Sequence, residues 1–269
     1  MSSMGSTQVF KDKWALVTGA SAGIGVALAR ELASCGANLI LTARRTDRLQ
    51  SLAVELTARG TQVRILTADL NDPATPQQIF DATEGSGVQV DILINNAGLG
   101  QFGAFLSNPI AQELSQIRVN CEAMVSLSRL FVPRMVERRH GWVLITASTA
   151  SFQPVPYIAT YAATKAFDRF FALALAEEVA RYDVVVTALC PGPTESEFFE
   201  VANAVEFRKR GVQPTEEVAH RGIAALANGK RTVIPYLGGR LTAFMVRFLP
   251  VRLITFLVER SARPMPSIT

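Results

Sequence analysis

Between Trp14 and Leu189, short aliphatic or β-branched runs alternate with longer amphipathic ones. That alternation restricts the chain to a parallel sheet covered by helices on both faces. Runs such as WALVT at Trp14–Thr18 and VVVTAL at Val184–Leu189 are almost continuously apolar, as strands buried on both sides must be. Strands are expected at Trp14–Thr18, Asn38–Thr42, Gln62–Thr67, Asp91–Asn95, Trp142–Ala147 and Val184–Leu189, with a seventh at Arg231–Pro235. The segments between them carry helix signals. Thr46 is placed to cap a helix running through Leu56 to Gly60, and Pro73 and Pro109 fall in first turns, where a missing N–H costs nothing. The order predicts an α/β, doubly wound, seven-stranded parallel sheet. No Pro/Gly/Ser-rich or charged linker divides the 269 residues, so residues 1–239 are read as one domain and residues 240–269 as an apolar, basic extension.

With 49% hydrophobic and 19% charged residues the chain has ample material for a core, which excludes a disordered protein. Its 27 basic and 23 acidic residues give a net charge of +4, and the bases are scattered except in the C-terminal quarter. Scattered charge argues against nucleic acid as a partner. Cys35, Cys121 and Cys190 lack metal-ligand or C-x-x-C spacing, so they are read as reduced, buried thiols, and no metal site is expected. The first ten residues lack the basic start and apolar run of a signal peptide, and no apolar run reaches the about 18 residues of a membrane span. A cytoplasmic protein is expected.

The first strand ends in Thr18-Gly19-Ala20-Ser21-Ala22-Gly23-Ile24-Gly25, and a helical pattern follows at once. Strand, glycine turn and helix together aim backbone N–H groups and a positive helix end at a pyrophosphate, although a tight turn before a helix would also use such glycines. After the second strand the chain reads Ala43-Arg44-Arg45-Thr46, with no acid to hold a ribose 2′-hydroxyl. A guanidinium there suits a 2′-phosphate, which favours NADP(H) over NAD(H). Arg44 is taken as the phosphate partner and Arg45 as the bystander, the alternative being that both are solvated residues before a helix.

Tyr161 and Lys165 stand four residues apart in YAATK, on one face of a long helical run. An ammonium beside a phenol favours the phenolate, which is expected to bring Tyr161 toward the working pH range of a general acid/base. Ser148 lies at the end of the fifth strand, 13 residues before Tyr161, and Asn120 lies in Arg118-Val119-Asn120. Singly these are a strand-end turn and a helix-kink residue. With the glycine turn, Asn95-Asn96-Ala97-Gly98 after the fourth strand and Pro191-Gly192-Pro193-Thr194 after the sixth, the chain resembles the short-chain dehydrogenase/reductase family from about Lys11 to Ile234.

The resemblance implies a Rossmann fold and a carbonyl/secondary-alcohol interconversion. Tyr161 would exchange the proton, Lys165 support it, Ser148 hydrogen-bond the substrate oxygen, and Asn120 support a water relay behind the lysine. The dinucleotide would lie on Gly19, Ser21, Gly23, Ile24, Gly25, Arg44, Asp69, Leu70, Asn96, Ala97, Gly98, Tyr161, Lys165, Pro191, Gly192 and Thr194. Asp69, the family's adenine contact, could equally be a turn residue. Ala22 is a departure, since many NADP-dependent relatives carry a base there, and this leaves Arg44 as the main phosphate partner. A carrier-bound 3-ketoacyl reductase and a catalytically silent dinucleotide-binding regulator are the alternatives.

The family's substrate-side segments read Ser151-Phe152-Gln153-Pro154-Val155-Pro156-Tyr157 and Thr194-Glu195-Ser196-Glu197-Phe198-Phe199 here. Their apolar character suits a small lipid-, steroid- or acyl-like substrate with one polar reacting carbon. The tail from Arg240 to Met265 is apolar but broken by Arg247, Pro250 and Arg252, and Pro250 should divide it into two short helices. The spacing of Phe244 with Phe248, and of Leu249 with Leu253 and Phe256, fits an amphipathic surface. We expect it to pack near the pocket or across a homodimer or homotetramer interface, with peripheral membrane contact as the alternative.

Overall fold

Leu16, Ile40, Leu93, Val143 and Val186 point to one face of a parallel sheet, while their strand neighbours Ala15, Leu39, Ile92, Leu144 and Val185 point to the other. This period-2 division, with both faces apolar, is what the uninterrupted hydrophobic runs require. The computed structural model describes residues 7–195, 197, 202 and 212–263. Its strands are β1 (Trp14–Thr18), β2 (Asn38–Ala43), β3 (Val63–Thr67), β4 (Ile92–Asn95), β5 (Gly141–Thr146), β6 (Val184–Leu189) and β7 (Thr232–Val233). All pair in parallel in the order β3-β2-β1-β4-β5-β6-β7, with Leu16 opposite Ile40 on one side and Leu93 on the other. The seventh strand is shorter than expected, with two paired residues at the sheet edge.

The helices are α1 (Gly23–Ser34), α2 (Thr46–Thr57), α3 (Thr75–Asp81), α4 (Ile110–Ile117), α5 (Ala123–Arg138), α6 (Ala159–Val179), α7 (Thr215–Ala227), α8 (Leu237–Met245) and α9 (Val251–Ala262). Leu28 and Leu32 of α1, Leu49 and Leu56 of α2 and Ile223 of α7 fill one core, and Ile79 of α3, Phe131 of α5 and Ala172 of α6 fill the other. The expected architecture is therefore present, with helices on both faces.

Local expectations fail where a polar side chain finds a distant partner. Thr46 is the first residue of α2 and caps nothing, because its hydroxyl lies 2.9 Å from that of Thr67. Pro73 precedes α3, whose first turn holds Pro76 instead, and Pro109 is the N-cap of α4. Of the cysteines, Cys190 is buried while Cys35 and Cys121 are half-buried. Pro250 does divide the tail, standing as N-cap of α9 after α8 has ended. Pro264 and Met265 lie outside the described residues, and no described helix is long and apolar enough to cross a membrane. The reversal of strand order between β1 and β4 opens a crevice at the C-terminal edge of the sheet, where open α/β folds bind ligands.

Candidate active site

The ends of β1 and β4 are bolted together across that reversal. Thr18 Oγ1 accepts from the backbone N–H groups of Asn96 and Ala97 at 2.9 and 3.0 Å and donates to the Ile94 carbonyl at 3.1 Å. Asn96 Nδ2 returns a bond to the Thr18 carbonyl at 3.0 Å. The glycine turn folds tightly onto this joint. Gly19 has φ +67°, and a Cβ there would lie 3.0 Å from Ala97 Cα. At Gly25 a Cβ would meet the Gly19 carbonyl oxygen at 2.1 Å. These glycines let α1 start directly against the turn, with Ala22 as N-cap and no side chain capping its first N–H groups. Such an uncapped helix start is suited to a pyrophosphate.

A cleft of about 610 Å³ runs from this turn along the sheet edge. Gly19, Ser21, Gly23, Ile24, Gly25, Arg44, Asp69, Leu70, Asn96, Ala97 and Gly98 line it, as do Ser148, Tyr161, Lys165, Pro191, Gly192 and Thr194. Every expected site residue except Asn120 is on its wall. The cradle closed by Gly19 and Gly25, with two guanidiniums at one end, fits a dinucleotide. Arg45 is not a bystander: it lines the cleft, its Nε and Nη2 each reach Ser21 Oγ at 3.3 Å, and its Nη1 pairs with Glu197 Oε2 at 2.8 Å. Glu197 also pairs with Arg48, so the carboxylate bridges two bases. Arg44 is exposed at the cleft, without a hydrogen bond to any described residue. Asp69 lines the cleft, and its Oδ1 accepts from Asn71 N at 3.0 Å as in a turn.

At the other end α6 presents Tyr161 and Lys165 on one face. Lys165 Nζ lies 5.9 Å from the Tyr161 ring centroid and donates to the Thr146 carbonyl at 2.7 Å and to Asp168 Oδ2 at 2.9 Å. Ser148 hydrogen-bonds Tyr161, and Ser148 Oγ also accepts from Ala150 N at 3.1 Å. The expectation that lysine brings the phenol downward is not met. Burial pushes Tyr161 up and wins, although Lys165 and the Ser148 hydrogen bond both pull it down, and Asp168 adds to the upward push. The lysine's attraction is weakened because a carboxylate sits beside its ammonium. Asn120 lies behind the cleft in a one-turn π-helix (Arg118–Glu122) joining α4 to α5. Its Oδ1 accepts from Leu99 N at 2.8 Å, and its Nδ2 donates to Leu99 O and Thr164 Oγ1, each at 2.9 Å. Gly98 lets this group approach the lysine, since a Cβ there would lie 3.4 Å from Lys165 Nζ.

At the substrate end the aromatic residues Phe152 and Tyr157 are not on the wall. Gln153, Val155 and Ile158 line it, whereas Phe152 stacks under the Arg169 guanidinium at 4.3 Å and the Tyr157 ring packs 6.3 Å from that of Phe102. Ser196, Phe198 and Phe199 lie outside the described residues. The tail supplies the rest of the wall through Thr242, Val258, Ser261 and Ala262, and Tyr157 OH donates to Glu259 at 2.7 Å. Tyr236 also lines the cleft, packed so closely that a Cβ on Gly192 or Gly239 would each lie 2.4 Å from its ring. The pair Gly238-Gly239 after an aromatic residue was the one trace of this in the sequence.

Because Gly25 abuts an immovable carbonyl, Gly25→Ala should lower dinucleotide affinity at least about tenfold and destabilise the fold by about 1–3 kcal/mol, the usual range for overpacking. Fluorescence titration with NADPH and thermal denaturation measure both. Unchanged affinity would remove the turn from the binding site.

Comparison with known proteins places this geometry among relatives. Residues 13–206 match the family described as short chain dehydrogenase. The chain is 36% identical over 215 residues to a 1-deoxy-11-beta-hydroxypentalenate dehydrogenase of Streptomyces exfoliatus, covering 79% of this chain and 77% of that one. It is 38% identical over 180 residues to a very-long-chain 3-oxoacyl-CoA reductase of Pyrenophora tritici-repentis, covering 64% of this chain and about half, 52%, of the reductase. Among solved structures, a short-chain dehydrogenase from Sphingobium yanoikuyae in complex with NADPH superposes with a TM-score of 0.80 at 27% identity, covering 96% of this chain and 98% of that one. With the family match extending over most of the chain and the glycine cradle and Tyr161–Lys165 helix meeting at one sheet edge, the chain belongs to the short-chain dehydrogenases.

Proposed function

We propose that the chain is an NADP(H)-dependent oxidoreductase that interconverts a carbonyl and a secondary alcohol on an apolar substrate. The observation carrying this reading is the convergence of Ser148, Tyr161 and Lys165 on a cleft that begins at a phosphate-type glycine turn. When bound, the nicotinamide supplies or accepts the hydride. In reduction Ser148 donates a hydrogen bond to the substrate oxygen, and the Tyr161 phenol gives that oxygen its proton. The Lys165 ammonium then stabilises the phenolate left behind. In oxidation the phenolate takes the hydroxyl proton back. Because Tyr161 sits above its ordinary value in the protein by itself, it is protonated at neutral pH and poised for reduction. Asn120 acts from behind, holding the Leu99 loop and Thr164 against the lysine.

Selection of NADP(H) rests on Arg44 and Arg45 at the cleft and on the absence of an acid following β2. NADPH bound to the Sphingobium relative agrees with this. The aliphatic substrate wall and the hydroxypentalenate and very-long-chain 3-oxoacyl-CoA substrates named for the relatives support an apolar, lipid-, steroid- or acyl-like substrate. A carrier-bound 3-ketoacyl reductase is the second reading, favoured by the reductase resemblance. A silent regulatory protein is disfavoured because Tyr161, Lys165 and Ser148 are together on the cleft wall.

We further read α8 and α9 as the removable side of the pocket. Their inner residues line the cleft while Leu241, Phe244, Phe248 and Val251 are exposed. A second subunit or a lipid surface would cover that outer face.

NADPH should bind at least about tenfold more tightly than NADH, as a charge-assisted grip on one phosphate provides, and equal affinities in a fluorescence titration would overturn the cofactor assignment. Against a panel of steroid ketones and 3-oxoacyl thioesters, Tyr161→Phe should lower kcat about 10²–10⁴-fold while leaving NADPH affinity intact. Full turnover by that variant would reject the mechanism. Truncation after Gly239 should raise KM and lower solubility or change the oligomer mass. A truncated protein that stayed soluble and fully active, losing only flotation with anionic vesicles, would reassign the tail to a membrane.

A further inference from the structure

Asp168 is a buried carboxylate beside Lys165 to which the proposed reaction gives no part. Lys165 and Asp168 are 4% and 2% exposed, so neither charge is screened by water. Asp168 Oδ2 accepts from Lys165 Nζ at 2.9 Å, and Asp168 Oδ1 is buried with no partner among the described residues. A buried carboxylate left with half its oxygens unbonded is expensive, and such pairs are often no more stabilising than apolar residues of the same size. Stability therefore does not account for an acid at this position. The charge of its neighbour does.

The titratable groups that face Asp168 are Lys165 and Tyr161 from α6, Cys121 from the π turn and Cys190 after β6. Burial pushes both thiols up to about 12, so they are neutral at working pH. Of these groups only Lys165 is a cation. A sealed ammonium without a counter-ion would shed its proton easily, since burial penalises the charged form. An ammonium also has three N–H bonds. One goes to the Thr146 carbonyl and one to Asp168, which leaves a third, and Lys165 lines the cleft.

We propose that Asp168 is a positioning residue that keeps Lys165 charged and aims its remaining N–H at the cleft. Asp168 supports the proton transfer through Lys165 without touching substrate, and this role rests on Lys165 serving Tyr161 as proposed above. It also sets a compromise: the carboxylate that holds the ammonium repels a phenolate, which keeps Tyr161 protonated in the absence of ligand. The directions agree. Burial pulls Lys165 down, but Asp168 and then Tyr161 push it up, and the net is up. Burial likewise pushes Asp168 up, against the pull of Lys165.

The test is a pH titration of the Lys165 ε-carbon by NMR in the full chain labelled at lysine, with the resonance assigned by its loss in Lys165→Met. In the wild type it should titrate above the ordinary lysine range. Asp168→Asn keeps a hydrogen-bond acceptor but removes the charge, so it should move the titration down by about one pH unit or more, the size of effect an opposite charge at contact produces. Asp168→Glu should restore part of the shift. An unchanged Lys165 titration in folded Asp168→Asn would overturn the proposal. Should that variant not fold, the wild-type value decides alone, and a titration at or below the ordinary lysine value would overturn it. Full activity in Tyr161→Phe would instead remove the catalytic reading while leaving this titration untouched, so the two failures are distinguishable.

Discussion

The joint at which Thr18 holds the start of the β4 loop determines the rest of the site. Its hydroxyl takes two backbone N–H groups from the neighbouring strand's end and gives one bond back. Because β1 and β4 lie where strand order reverses, their following segments leave in opposite directions, and the crevice between them would widen if they were independent. The clasp fixes its width. The glycine turn then has Ala97 as its floor, Gly98 clears space for the lysine head, and the same loop reaches Asn120, which ties it to Thr164 of α6. The glycine turn and the Tyr161–Lys165 helix, more than a hundred residues apart, are thus held in one register by short polar links at strand ends.

Electrostatics within the site is a contest of burial against pairing. Were Lys165 to face Tyr161 alone, the ammonium would draw the phenol toward the phenolate. Its pairing with Asp168 at 2.9 Å divides that attraction, and burial tips the balance toward the neutral phenol.

The fold was legible because a strand buried on both faces leaves an apolar run that little else imitates. β1 and β6 were located to the residue, and the other long strands to within one. β7 was overextended because an edge strand pairs on one side only and can stop wherever its neighbour does. Helix ends were less legible: Thr46 carries a capping side chain, but Thr67, 21 positions away, takes it. Within the site, Tyr161 and Lys165 were readable since helical spacing alone puts them on one face. The downward shift expected for Tyr161 fails because burial of the phenol outweighs the pull of Lys165 and Ser148, with Asp168 adding to the upward push, and the extent of burial is a tertiary property that helical spacing does not encode. The contacts of Arg45 are not legible locally because its acidic partner Glu197 is 152 residues distant, a pairing no local pattern encodes.

The Tyr157–Glu259 hydrogen bond joins the loop that precedes α6 to a segment that follows the last strand of the sheet. The two sides of the pocket consequently belong to different parts of the chain: Ser148, Tyr161 and Lys165 to a strand end and α6, and the facing wall to helices that no strand pairing constrains. Changes in α8 and α9 can remodel the cavity without disturbing the register of β1 through β7. The shape of the cavity is therefore the property this architecture can alter most freely through divergence or tail exchange, with the Tyr161–Lys165 helix and the glycine turn left intact.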